Sequence, residues 1–224
     1  MKRAKWSVME FSRRLILVCV ACAVWLSGCA VSKPHPSESQ QPVAVTDSKK
    51  IKLDVSPSAK RDYDRALASI RAKRYDQAER TLVKMTQAYP TLSGPYVNLG
   101  MIYHRTGRSD QAMEALNKAI EINPNRPDTY NQLGIVLRST GQFKAARDAY
   151  ERALHFDPNY LYAHLNLGIL YDLYLRDASK ALDHYEHYQS LLPEQDQQVS
   201  KWVVDLKRRT QKSKKTKTAQ KQQL

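Results

Sequence analysis

The sequence is poor in cysteine and has no hydrophobic run of the length that a membrane-spanning helix needs. The apolar stretch from Leu15 to Leu26 has twelve residues, whereas about twenty helical residues are required to cross a hydrocarbon core of roughly 30 Å. A permanent transmembrane helix is therefore not expected. Two of the three cysteines, Cys19 and Cys22, lie inside this stretch. If the stretch is removed, Cys29 remains alone and no disulfide can form within one chain.

The sequence also lacks the motifs that carry catalysis. It contains no glycine-rich phosphate loop and no metalloprotease helix motif. His184 and His187 are three residues apart and Asp183 precedes them, which could suggest a metal site, but no third ligand follows at a suitable spacing. Histidines on a helix surface explain this pattern as well. We therefore predict neither an enzyme, nor a metal site, nor a cofactor.

The first 28 residues have the layout of an export signal. Basic residues precede the apolar stretch, and small residues follow it, which is typical of a secretory signal peptide. Leu26-Ser27-Gly28-Cys29 resembles the lipobox of bacterial lipoproteins at all four positions. That resemblance implies cleavage after residue 28, acylation of Cys29 and anchoring to a membrane through acyl chains. An ordinary signal peptide with an incidental cysteine is the alternative.

The resemblance also implies a destination. Ala30 stands where lipoproteins retained in the inner membrane often carry Asp. In a Gram-negative bacterium the expected site is the outer membrane, facing the periplasm; in a bacterium with one membrane it is the outer face. Residues 29–58 are rich in Pro, Ser, Gln, Lys and Thr and are predicted to form a flexible tether.

Beyond the tether, the chain repeats itself with a period of 34 residues, which indicates a helical solenoid. Proline, alanine, glycine and leucine all keep this period, with one extra residue before the last copies: Pro90, Pro124, Pro158 and Pro193; Ala78, Ala112, Ala146 and Ala181; Gly100, Gly134 and Gly168; Leu99, Leu133 and Leu167. Glycine and alanine at these offsets are expected to let two antiparallel helices approach closely, with large side chains filling the gaps.

Together these residues resemble the tetratricopeptide repeat. The resemblance implies an all-α, right-handed solenoid of antiparallel helix pairs between residues 59 and 193. Four repeats are predicted, at 59–92, 93–126, 127–160 and 161–193. The first is degenerate because Arg65-Ala66 replaces Leu-Gly. The fourth lacks the turn glycine near Leu175-Arg176-Asp177, so its turn is expected to differ.

A capping helix and a basic tail are predicted after the repeats. In residues 194–209, Val199, Trp202, Val203 and Leu206 follow a helical spacing and are expected to close the end of the stack; a helix that binds a partner is the alternative. Residues 207–224 contain eight Lys or Arg and no acid. Residues 210–224 are predicted to be disordered, either solvated or in contact with anionic lipid or cell wall, and not with nucleic acid.

In this family the first helices of successive pairs line a concave groove that binds a segment of another protein. Carried over by position, the resemblance assigns twelve groove residues: Val97, Asn98, Met101, Arg105, Asn131, Gln132, Ile135, Arg138, Leu165, Asn166, Ile169 and Asp172. Asn98, Gln132 and Asn166 are 34 apart and could pair with a peptide backbone, or could serve helix packing. None of the twelve is lysine, which argues against gripping a terminal carboxylate.

The function that these observations favour is a membrane-anchored scaffold that binds a protein of the cell envelope. Lipoproteins of this build include those that help pilus secretins assemble, those that recruit cell-wall hydrolases, and those that accompany TonB-type energy transduction. A structural lipoprotein that acts through its basic tail on cell wall or anionic surfaces is the alternative. A third possibility is a subunit of an enzyme complex.

Overall fold

The computed structural model describes the backbone of residues 56–221 and the side chains as far as residue 212. The predicted signal peptide, the lipidation site Cys29 and nearly all of the tether lie outside the described residues. Within this range the chain forms α-helices: α1 Pro57–Arg71, α2 Tyr75–Ala88, α3 Ser93–Arg105, α4 Ser109–Ile122, α5 Pro127–Ser139, α6 Phe143–Phe156, α7 Leu161–Leu173, α8 Ala178–Ser190 and α9 Gln197–Lys221.

Helices α1 to α8 are arranged as four antiparallel pairs stacked in sequence order. Each odd-numbered helix packs along the even-numbered helix that follows it, and each even-numbered helix packs on the next pair. The predicted all-α solenoid is therefore confirmed. Helix α1 begins at Pro57 rather than at residue 59, because Ser56 caps it by accepting a hydrogen bond from the backbone N–H of Ala59 and proline suits a first turn.

Glycines in the odd-numbered helices receive large side chains from the even-numbered helices. A Cβ placed on Gly100 would lie 2.6 Å from Cγ of Leu116, and a Cβ on Gly134 would lie closer than 3.0 Å to ring atoms of Tyr150. Gly168 meets Tyr185 in the same way. All three large side chains are fully buried. The expected close approach of paired helices is thus confirmed, and it depends on the missing side chain.

Replacing Gly134 with alanine tests this packing. Alanine ordinarily stabilises a helix interior by up to about 1 kcal/mol relative to glycine, but here the added methyl must displace the Tyr150 ring. We expect Gly134→Ala to lower the free energy of unfolding by about 1–3 kcal/mol, measured by urea denaturation. Gln132→Ala, on the same helix but half-buried, should change it by less than about 0.5 kcal/mol; a stabilised Gly134→Ala protein would contradict the packing.

Each helix pair turns through one residue with a positive φ. These residues are Gly107 at 79° and Gly141 at 78°, but Lys73 at 56° and Arg176 at 55° in the first and fourth repeats. The fourth turn also differs in length, as predicted: four residues separate α7 from α8, whereas three separate α3 from α4. Asp177 then caps α8 by accepting from the backbone N–H of Lys180 at 3.1 Å. The positive φ is therefore retained without glycine in the first and fourth repeats.

Lys73 should accordingly be a site where glycine stabilises the protein. The left-handed conformation costs a residue with a Cβ about 1 kcal/mol, and the greater freedom of glycine in the unfolded chain offsets part of that gain. We expect Lys73→Gly to raise the free energy of unfolding by roughly 0.5 kcal/mol. Ala72→Gly, where φ is −79°, should lower it, and equal effects of the two changes would show that the backbone at residue 73 is unstrained.

Helix α9 covers the exposed end of the last pair. Val199, Trp202 and Leu206 are buried, and the ring of Trp202 lies 5.4 Å from that of Tyr185 in α8. The side chain of Gln189 makes two hydrogen bonds to the backbone just before α9. It donates to the carbonyl of Asp196 at 2.8 Å and accepts from the N–H of Asp196 at 2.8 Å. The apolar stripe is therefore occupied within the chain, as the capping interpretation requires, and the partner-binding alternative loses its free surface.

The structure differs from the prediction after residue 209. Disorder was predicted for 210–224, but α9 continues to Lys221. Residues 210–221 contain neither Gly nor Pro and are rich in Lys and Gln, which are good helix formers. Elongating a helix that is already anchored also avoids the cost of nucleation. Among the described helices, α9 included, none combines the length and the apolar character that a membrane crossing requires.

Candidate binding surface on the first helices of the repeats

The odd-numbered helices lie side by side and define one surface, which we call the inner surface. Helix α5 contacts both α3 and α7 directly, in addition to the contacts between successive pairs. Direct contact among the first helices of the repeats indicates that they lie on the inner side of the curved stack. The twelve residues predicted to form the groove all belong to α3, α5 and α7.

The structure buries most of these twelve residues. Those with less than a tenth of their surface exposed are Val97, Asn98, Met101, Asn131, Ile135, Leu165, Asn166 and Ile169. Those that remain half-buried are Arg105, Gln132, Arg138 and Asp172. Eight of the twelve are thus largely covered within the chain, and contact of the twelve with a partner stays a prediction.

The buried apolar members hold the first helices against their neighbours. Val97 packs in a cluster with Leu116 and with Val136 of α5. Met101 packs with residues of the first repeat, and Ile135, Leu165 and Ile169 belong to the largest cluster. These side chains are covered because neighbouring first helices contact one another. They hold the helices of the inner surface in position and are not themselves exposed to a partner.

Two of the three amides of the predicted ladder, Asn98 and Asn166, are engaged within the stack, whereas Gln132 is half-buried. Asn98 donates to the hydroxyl of Tyr63 at 2.7 Å and to the carbonyl of Gly94 at 3.0 Å. Asn166 donates to the side-chain oxygen of Asn131 at 2.9 Å, and both residues are fully buried. Of the two interpretations of the ladder, this geometry favours helix packing over pairing with a peptide backbone.

The Asn131–Asn166 pair can be tested by a double-mutant cycle. Removing one amide leaves a buried polar group without its partner, at a cost of about 1–3 kcal/mol. We expect Asn131→Leu and Asn166→Leu each to destabilise by that amount, and the double variant to lose less than the sum of the two. Strict additivity of the unfolding free energies would show that the amides act independently.

Three of the four half-buried residues, Arg105, Arg138 and Asp172, lie at the carboxyl ends of their helices. Arg105 donates to the hydroxyl of Tyr75 at 3.3 Å, and Arg138 donates to that of Tyr150 at 3.4 Å. Asp172 accepts from Arg209 of α9 at 2.6 Å. The capping helix therefore reaches the inner surface and engages its last acidic group.

A polar network at the opposite ends of these helices was not found by sequence reasoning. Arg126 pairs with Asp128, with Nε 2.9 Å from Oδ1, and its guanidinium lies 3.4 Å from the hydroxyl of Ser93. Burial raises the pKa of Tyr63 and that of Tyr160, and the hydroxyl of Tyr160 makes no hydrogen bond to the described residues. The network thus links side chains of the second and third repeats, and the charges of Arg126 and Asp128 also act on Tyr63 of the first repeat.

A signal for these contacts exists in the sequence, at a spacing of 35 rather than 34. Tyr63 and Asn98 are 35 apart, as are Asn131 and Asn166. A residue on one first helix meets the next repeat one position further on because neighbouring helices are tilted and offset. A search at the repeat period alone misses such pairs.

The histidines considered as metal ligands have other partners. His184 lies with Nδ1 3.1 Å from Nδ1 of His164, and the ring of His187 stacks on His164 with centroids 4.0 Å apart. Within the part of the chain that the structure describes, no three His, Cys, Asp or Glu side chains are placed to share a metal ion.

The fold and this surface define a helical repeat protein. Two tetratricopeptide-repeat family models match the chain, one over residues 91–157 and the other over residues 131–195. The chain therefore contains tetratricopeptide repeats between residues 91 and 195. No curated protein sequence matches it.

Solved structures share the fold. A crystal structure of MamA is 26% identical, with a TM-score of 0.51, and the match covers 60% of this chain and 73% of that chain. MamA from Desulfovibrio magneticus RS-1 is 20% identical, with a TM-score of 0.59, over 72% and 90% of the two chains. A Thermobaculum terrenum O-GlcNAc transferase mutant is 23% identical, with a TM-score of 0.55, over 59% of this chain and only 26% of that one.

Proposed function

We propose that this protein is a membrane-anchored scaffold that binds a segment of another cell-envelope protein on its inner surface. The observation that carries the proposal is the continuous row of first helices α3, α5 and α7, which contact one another directly within tetratricopeptide repeats. Such a row offers a partner an extended surface that spans several repeats.

Recognition depends on the exposed polar groups of a rigid surface. The buried residues of α3, α5 and α7 fix the positions of the helices, while Arg105, Gln132 and Arg138 keep part of their surface accessible. Arginine and glutamine side chains supply several hydrogen-bond donors, and a preformed surface loses little conformational entropy when a partner binds. Affinity then comes from a few contacts at each repeat.

The membrane anchor is the second part of the proposal. Leu26-Ser27-Gly28-Cys29 supports acylation of Cys29, and two or more acyl chains hold a protein durably on a bilayer. Confinement to a membrane raises the effective concentration of the scaffold near a partner in the same membrane. Ala30 supports the outer membrane, with the repeats facing the periplasm.

Assembly of pilus secretins, recruitment of cell-wall hydrolases and TonB-type energy transduction are the processes in which such a scaffold would serve. The alternative is a structural lipoprotein that acts through its C-terminal basic segment. That segment is helical as far as Lys221 and carries no acid after Asp205, which favours contact with an anionic surface.

Site-specific photocrosslinking in intact cells tests the inner surface. A photoreactive p-benzoylphenylalanine placed at Gln132, on the inner surface, should give one discrete crosslinked partner. The same residue at Lys144, exposed on the second helix of that repeat, is the matched control and should not give that product. Arg105→Glu should reduce the yield at least threefold, because reversing a charge removes a donor from the contact.

Further variants separate the parts of the proposal. Cys29→Ser should release the protein from the membrane fraction. The crosslinked product should then either appear in the soluble fraction with the protein or be lost. Deletion of residues 210–224 should leave the product unchanged. Equal crosslinking at positions 132 and 144 would refute binding on the inner surface, and loss of the product only on deletion of the basic segment would favour the alternative.

A further inference from the structure

Three histidine rings meet between the two helices of the fourth repeat. His164 belongs to α7, and His184 and His187 belong to α8. Nδ1 of His164 lies 3.1 Å from Nδ1 of His184, and the ring of His187 stacks on that of His164 with centroids 4.0 Å apart. His164 is almost fully buried, at 7% exposure, and His184 is half-buried.

The hydrogen-bond partners determine where the protons lie. Nε2 of His164 is 2.9 Å from the carbonyl oxygen of Pro158, which can only accept, so His164 carries its proton on Nε2. Its Nδ1 then has a free lone pair and accepts from Nδ1–H of His184. Both rings are neutral in this arrangement, and each tautomer is fixed by its partner.

The groups around the pair oppose a positive charge on His184. Burial is the largest cause that lowers its pKa, to about 4, and His164, His187 and Lys180 lower it further. Burial also lowers the pKa of His164, followed by a smaller effect of His187, while the Pro158 carbonyl and Asp157 act in the opposite direction. Tyr171 of α7 stacks on His184 with centroids 5.7 Å apart. Nζ of Lys180 lies over the ring of the same Tyr171, 5.1 Å from its centroid.

We propose that the fourth repeat is an acid-sensitive element, in which protonation of the His164–His184 pair separates α7 from α8. A proton added at Nε2 of His184 leaves the hydrogen bond in place but puts a positive charge in a half-buried site beside Lys180 and His187. A proton added at Nδ1 of His164 places two N–H groups face to face at a distance of 3.1 Å, so the hydrogen bond becomes a repulsive contact. The site uses α7, α8 and the turn that precedes α7, and it is independent of any partner on the inner surface. It therefore goes beyond the scaffold function and does not depend on it.

The direction of the pH dependence follows from the two states. The folded pKa of His184, about 4, lies below its ordinary value of 6.5, so the opened repeat binds the proton more readily. The histidine pair therefore contributes its full stability above pH 6.5, and that contribution is lost as the pH falls towards 4. Between pH 7 and pH 5 the opening constant of the fourth repeat should rise about tenfold, after allowance for the partial exposure of His184.

Hydrogen exchange on the full-length protein tests this, with rates corrected for intrinsic exchange at each pH. Between pH 7 and pH 5, amides of α7 and α8 should lose protection about tenfold, while those of α3 and α4 change much less. His184→Gln retains a donor to His164 but does not titrate, so the selective loss should fall to threefold or less. His155→Gln, at an exposed site on α6, is the matched control and should behave as the unaltered protein. Equal loss of protection in all repeats, or an unchanged selective loss in His184→Gln, would overturn the proposal.

A second measurement requires no variant. Long-range nitrogen–proton NMR spectra of the uniformly ¹⁵N-labelled protein distinguish the two neutral tautomers of histidine. His184 should show the Nδ1–H form at pH 7 and should titrate well below 6.5. The Nε2–H form with a midpoint near 6.5 would show that the pair does not form, and the proposal would fail.

Discussion

The stack depends on the absence of a side chain at one position in three of its first helices. Gly100, Gly134 and Gly168 leave slots that Leu116, Tyr150 and Tyr185 fill from the second helix of the same repeat. Because each filling side chain is fully buried and closely packed, it fixes the distance and the rotation between the two helices of its pair. The contacts between the second, third and fourth repeats presuppose this spacing.

Once the pairs are fixed, the contacts between repeats form a separate layer. At one end of the first helices this layer is polar: Tyr63 accepts from Asn98, Arg126 pairs with Asp128, and Asn131 accepts from Asn166. Polar contacts of this kind are directional, so they set the register between neighbouring helices that apolar packing alone leaves loose. The same layer explains why the inner surface offers few open side chains, since its amides and aliphatic groups are used to join repeats.

The sequence predicts contacts within a repeat far better than contacts between repeats. The period of 34 identifies the glycine slots and the helix pairs, because each is a local feature copied from one repeat to the next, and the apolar spacing of residues 199–206 identifies the cap. The burial of Val97, Met101 and Ile169 depends on the neighbouring first helix. The sequence period does not give the distance between neighbouring first helices. Lys73 was missed as a turn residue because side-chain type suggested no positive φ there. The helical extension to Lys221 does not follow from the high charge of this segment, which favours disorder; it follows from the helix propensity of Lys and Gln.

Departures from the repeat pattern occur in the first and the fourth repeats, at the two ends of the stack. The last pair must meet a capping helix instead of another pair, and α9 binds it through Gln189, through Glu186, which Lys207 approaches to 2.7 Å, and through Asp172. Arg209 thereby occupies the acidic group at the end of the inner surface. A partner that follows the first helices consequently meets an inner surface whose last position is already filled by the chain itself, so we expect its specificity to be set by the half-buried groups of α3 and α5. The cap therefore sets both the stability of the last repeat and the length of surface that remains for recognition.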